Sequence, residues 1–115
     1  MIPPRKKPEH LEKSVGHVFK DRDLLAKALT HSSYAYEMRS DSPEDNEQLE
    51  FLGDSVIGLV TAEFFLEAFP ERNEGELSKL KASATSTLAL AQLARAIKLD
   101  KVILLGRGEE RSGGR

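Results

Sequence analysis

From Leu11 onward, apolar residues return every three or four positions, the spacing of one helix face, and no stretch gives convincing strand pairing. Leu11, Val15, Val18 and Phe19 predict a short first helix. Asp21 stands where an N-cap belongs, ahead of Leu24, Leu25, Ala28 and Leu29, the inner face of a second helix ending near HSSYAYE. There Ser32, Ser33 and Tyr34 are expected to help terminate it. MRSDSPED reads as a loop, with Pro43 tolerated near the start of the next helix and Ser42 as its cap.

That third helix, about 44–69, is the longest. Leu49, Phe51, Leu52, Val56, Ile57, Leu59 and Val60 cover nearly all its sides, and a helix apolar all round is usually central to its fold. Pro70 stops it. A fourth helix begins near Gly75 with Leu77, Leu80 and Ala84 inward, and a fifth runs from about Ser86 through Leu90, Ala94 and Ile97. DKVILL is either a helical turn or a short extended piece. GRGEERSGGR, glycine-rich and polar, reads as mobile. The pattern predicts an all-α domain.

The chain has 115 residues, room for one ordinary domain. Residues 1–8, with three prolines and three bases, read as a disordered basic arm; residues 9–115 form the domain. Cysteine is absent, which excludes disulfides and cysteine-ligated zinc and fits a reducing compartment. No apolar run follows the N-terminal bases as a secretory signal would require, and none reaches membrane-spanning length. The expectation is a soluble cytoplasmic protein with no membrane partner.

Charge changes the picture more. Between Asp41 and Glu76 stand eleven acids and a single base, Arg72, so this segment is −10 and the remainder +8 of a net −2. Basic ends around an acidic middle suit a protein that grips a polyanion and holds cations at its centre; solvated surface charge is the plainer explanation.

Within the acidic segment, NEQLEFLGD places Glu47, Glu50 and Asp54 three and four residues apart. At about 100° per residue they point within roughly 60° of one another. Like charges along one stripe repel, and no base lies between Arg39 and Arg72 to offset them locally. Three readings stay open: ion pairs from distant segments, a solvated face, or a hard divalent cation such as magnesium held by Glu50 and Asp54, with Glu47 extending the site outward. Gly58 continues the stripe without a side chain, so another helix or a substrate is expected to approach there.

NEQLEFLGDSV resembles the signature of the ribonuclease III family of double-stranded-RNA endonucleases, with Gln48 where arginine is usual. FKDRDLLAKALTHSSY before it, then FPERNEGELSKLKA and LLGRGEERSGGR, agree in order and spacing, so the likeness covers about 11–115. The resemblance implies a helical homodimer that cuts both strands of duplex RNA with magnesium (manganese as a substitute), leaving 5′-phosphates and two-nucleotide 3′ overhangs, in processing of ribosomal RNA precursors and other structured RNAs. It also implies roles for residues. Glu50 matches a metal-ligating glutamate and Asp54 the catalytic, metal-binding aspartate. Glu47 and Glu74 match acids of the active-site valley, and Phe51 an aromatic that packs into the partner subunit at the dimer interface.

The family's remaining catalytic Asp and Glu lie on a helix beyond the glycine-rich loop, in a segment like ILADAFEA. The chain contains no such segment and no double-stranded-RNA-binding domain. The expectation is therefore a catalytic domain truncated before its closing helices, inactive and poorly stable alone. Beside it stand two non-enzymatic readings: a helical dimer that binds duplex RNA or a protein without cutting, and an interaction domain whose acidic stripe meets a basic partner.

Other residues carry weaker signals. His31 is better explained as a helix-end residue than as a general base, since no nucleophile partners it. Lys79 and Lys81 are open to phosphate contact or to local pairing with Glu74 and Glu76. Arg107, Arg111 and Arg115 are open to RNA contact or solvent. The terminal glycines lack the GK[ST] ending of a phosphate loop, and Lys6 and Lys7 read as a solubilising tail.

Overall fold

Pro8 opens the first helix, α1 (Pro8–Val15), at a position where its missing amide costs nothing. The computed structural model describes residues 8–38 and 44–111. Lys6, Lys7, Ser42, Pro43 and Arg115, each read above for a role, lie outside them.

α1 stops earlier than its apolar spacing predicts. Gly16 takes φ +69°, a left-handed conformation that glycine adopts without penalty, and its amide closes on the Glu12 carbonyl at 2.9 Å. Val18 is left exposed, and Phe19 packs on the core from a loop instead of a helix.

The Asp21 carboxylate accepts the Leu24 amide at 3.0 Å and caps α2 (Arg22–Ala28) as expected. Ser32, Ser33 and Tyr34, however, do not terminate α2. They open a separate helix, α3 (Ser32–Met38), because the His31 ring serves as its cap: Nδ1 accepts the Ser33 amide at 3.1 Å and lies 2.8 Å from the Ser33 hydroxyl. The next helix, α4 (Glu47–Ala68), starts three residues later than predicted and ends before Pro70. It is followed by α5 (Glu74–Ala84) and α6 (Thr87–Ala96), close to the expected bounds.

DKVILL resolves into both alternatives in sequence: a 3-10 turn at Leu99–Lys101, then a single parallel bridge between Thr30 and Leu104. GRGEER is not all loop: Arg107–Arg111 form a five-residue helix, α7. Seven α-helices and no extended strand make the described residues all-α, as the pattern predicts.

The described residues fall into two units. The first comprises residues 8–38, 44–50 and 94–111, and it holds every buried side chain. Leu11, Leu25, Leu29 and Val102 form its core, with Phe19, Ile97 and Leu99 packed against them. Glu12 is buried beside this core, where its carboxylate accepts the Phe19 amide at 2.7 Å and the Arg22 guanidinium at 2.8 Å. These two donors, the arginine foremost, hold its pKa below the ordinary 4.5.

The second unit, Phe51–Leu93, corrects the expectation that the long helix is central. No residue of α4 is buried. Ala62, Phe65 and Leu66 line an open groove with residues of the neighbouring α5, and one helix cannot cover a surface apolar on all sides. Phe51 is 80 % exposed, Leu59 70 % and Phe64 61 %.

Candidate active site

The N-terminus of α4 is fixed by the first residue of the signature string. The Asn46 amide donates to the Thr30 carbonyl at 2.9 Å, and its side-chain amide donates to the Ala28 carbonyl at 2.8 Å. Asp45 accepts the Glu47 amide at 3.0 Å, and the Glu50 amide returns to the Asn46 carbonyl at 2.7 Å. The helix start is therefore tied to the end of α2, 18 residues back. Sequence reasoning placed the cap at Ser42 and gave Asn46 no part. Its asparagine, directly before an acidic turn, was the available signal.

Along α4 the three carboxylates follow. Glu47 and Glu50 occupy the first turn, where the amide ends of the helix favour negative charge. Asp54 lies one turn beyond Glu50 on the same uninterrupted helix, so the two project from one face. All three are exposed, and among the described residues no lysine or arginine forms an ion pair with any of them. The distant-base reading of the stripe thus finds no support there.

Glu74 begins α5. The helix is set by a capping box in which Asn73 accepts the Glu76 amide at 2.9 Å and Glu76 accepts the Asn73 amide at 3.4 Å. Arg72 pairs with Glu76 at 2.9 Å, and this contact first, then the Asn73 amide, holds the Glu76 carboxyl below its ordinary value. Local pairing in this region is therefore Glu76 with Arg72, not with Lys79 or Lys81. Glu74 lines an open groove of about 360 Å³ together with Ala62, Phe65, Leu66, Leu77, Ser78 and Lys81.

Gly58 is approached as its missing side chain suggests. A Cβ there would stand 3.6 Å from both Cε and Nζ of Lys81, so the lysine of α5 lies over the stripe one turn past Asp54.

Magnesium commonly takes one or two carboxylates, with water and phosphate completing its shell. The pair Glu50 and Asp54 fits that donor set: oxygen ligands only, one turn apart, exposed and in no ion pair with a base among the described residues. A closed cage is not what the described residues offer, since no three of their His, Asp or Glu side chains gather at one point. Glu47 and Glu74 do not join the pair as a third ligand. Phe51, next to Glu50, points an aromatic ring into solvent. None of the helices among the described residues is long and apolar enough to cross a membrane.

The family described as Ribonuclease-III-like matches residues 21–115. Ribonuclease 3 of Geobacter sulfurreducens is 47 % identical over 107 residues, 93 % of this chain and 43 % of the relative. Ribonuclease 3 of Pelotomaculum thermopropionicum is 45 % identical over 105 residues, 91 % of this chain and 44 % of the relative. The chain thus spans less than half the length of these relatives. A solved structure of the nuclease domain of ribonuclease III from Campylobacter jejuni, described for flexibility in a region involved in dimer formation, superposes with a TM-score of 0.82. It is 41 % identical, and the match covers 94 % of this chain and 71 % of that one. On its matched residues, its helical fold and its signature helix, the chain belongs to the ribonuclease III family.

Proposed function

We propose that the chain supplies the signature helix of a divalent-metal-dependent endonuclease that hydrolyses duplex RNA to 5′-phosphate and 3′-hydroxyl ends with two-nucleotide 3′ overhangs, acting on ribosomal RNA precursors and other structured RNAs. One observation carries this reading: Glu50 and Asp54 of the family signature stand exposed on one helix face, in no ion pair with any base among the described residues. Such a pair is a ready seat for a hard cation and a poor structural element.

Magnesium is the proposed ion and manganese its substitute, with Glu50 and Asp54 as ligands. When bound, it would supply Lewis acidity at a phosphate and lower the pKa of water. The chain does the rest. Asn46 and Asp45 fix the start of α4; Glu47 and Glu74 are the proposed further acids of the valley, and the groove beside α5 is the proposed access for the substrate backbone. Duplex RNA would be read mainly by shape, phosphates and 2′-hydroxyls. A second copy of the chain is the proposed cover for Phe51, forming a homodimer.

Asp54→Asn, made in protein from the complete reading frame, tests the assignment. It should lose cleavage of duplex RNA in magnesium and keep its melting temperature, because Asp54 is exposed and makes no ion pair. Cleavage at the wild-type rate would refute the role. A second reading, a non-catalytic dimer module for duplex RNA or a protein, is favoured by the lack of a third carboxylate beside the pair among the described residues. It predicts RNA binding without cutting, equal in magnesium and in chelator.

A further inference from the structure

The fold, not the local sequence, brings Lys81 to the carboxylate stripe. It lies on α5, 27 residues after Asp54 in the chain, yet its Cε and Nζ both reach 3.6 Å from where a Gly58 side chain would begin. Residues four apart on a helix are neighbours at about 6 Å between Cβ positions, so Gly58 sits directly beside Asp54. The lysine head group lies at ordinary contact distance from that position.

Three further observations bear on what the ammonium does there. It makes no ion pair with Asp54, Glu74 or any other carboxylate of the described residues, so local charge neutralisation is not its role. Its residue is exposed, with the side chain forming part of the open groove against the apolar walls of Ala62, Phe65 and Leu77. The hydrocarbon stem can lie on such walls while the charged end stays at the rim. An ammonium offers three donors and no acceptor, so its partner must be an anion or a neutral oxygen. A phosphodiester brought to the Asp54 carboxylate by a shared cation is an anion of that kind.

We infer that Lys81 is a phosphate-contacting residue of the site, its ammonium seated over Gly58 to meet a nonbridging oxygen of the RNA backbone beside Asp54. This rests on the proposed function. Lys79, two positions away on α5, lies about 200° round the helix and does not share the seat.

The test compares wild type, Lys81→Gln, Lys81→Arg and, as a distant surface control, Lys13→Gln, all made from the complete reading frame. Cleavage of duplex RNA in magnesium is measured across a salt series, with melting temperatures recorded for each. Lys81→Gln should cut roughly tenfold to a hundredfold more slowly at limiting substrate, the weight of one charged hydrogen bond. Its dependence of log rate on log salt should be shallower by about one unit, the signature of one lost phosphate contact. Lys81→Arg should recover the salt slope, and Lys13→Gln should match wild type. A Lys81→Gln protein with wild-type rate and slope would overturn the inference, as would an Arg variant as impaired as Gln at an unchanged melting temperature. If wild type itself neither binds nor cuts duplex RNA, the proposed function fails first and the role of Lys81 falls with it. Loss confined to Lys81→Gln leaves both standing.

Discussion

Glu12 accepts from the Phe19 amide and the Arg22 guanidinium while buried at the edge of the core, so its charged form belongs to the folded state. Its pKa is lowered in the fold, first by Arg22 and then by the Phe19 amide. Glu37 is lowered by the Arg107 amide and Glu76 by Arg72. A carboxyl with a depressed folded pKa contributes stability above its unfolded value, here near 4.5, and loses it as the pH falls through the folded value. Denaturation midpoints should therefore stay level at neutral pH and fall below about pH 4.5. Glu12→Gln should lower the neutral plateau and flatten that acid limb; an unchanged acid limb would show that Glu12 does not govern it. None of this was visible along the chain. A glutamate between Leu11 and Lys13 looks solvated until the loop from Gly16 to Asp21 folds back over it.

At the scale of elements, what the sequence revealed depended on how local the cause was. Asp21 and Pro70 act on neighbouring residues, and the start of α2 and the end of α4 fall where they predict. Helix α7 escaped because two of its surrounding glycines argue against a helix, and its stabiliser lies 70 residues back. The Glu37 carboxylate accepts the Arg107 amide at 2.9 Å and the Gly108 amide at 3.3 Å, satisfying donors that a helix start leaves open. Ser33 accepts the Gly106 amide at 2.9 Å, and the Leu104 amide reaches the Leu29 carbonyl at 2.7 Å. Gly106 permits this approach: a Cβ there would stand 2.7 Å from the Ser33 carbonyl oxygen, and backbone cannot yield cheaply. Gly106→Ala should cost about 1–3 kcal/mol, read as a lowered melting temperature. Gly58→Ala should do the opposite. Its methyl would meet Lys81 at ordinary contact distance, and replacing a helix-interior glycine gains about 0.5–1 kcal/mol.

For the whole molecule, charge and apolar surface were both legible in sequence, but neither names what meets it. The acidic middle became the first turns of α4 and α5, with Glu50 and Asp54 on one helix face as their spacing required. The apolar girth of α4 predicts a central helix, yet Phe51, Leu59 and Phe64 stand in solvent because the hydrophobic pattern specifies that a face needs covering, not what covers it. If a second copy is the cover, Phe51→Asp should shift sedimentation from dimer to monomer at concentrations where wild type remains associated; unchanged association would remove Phe51 from the interface. The central claim is that Glu50 and Asp54 together hold a hard divalent ion. Titration with Mn2+ followed by electron paramagnetic resonance tests it most directly, since free and bound ion are distinguished without any turnover. Wild type should take up manganese in competition with magnesium, and Glu50→Gln and Asp54→Asn should each weaken that uptake severely at unchanged melting temperature. Equal manganese affinity in all three proteins would contradict the account.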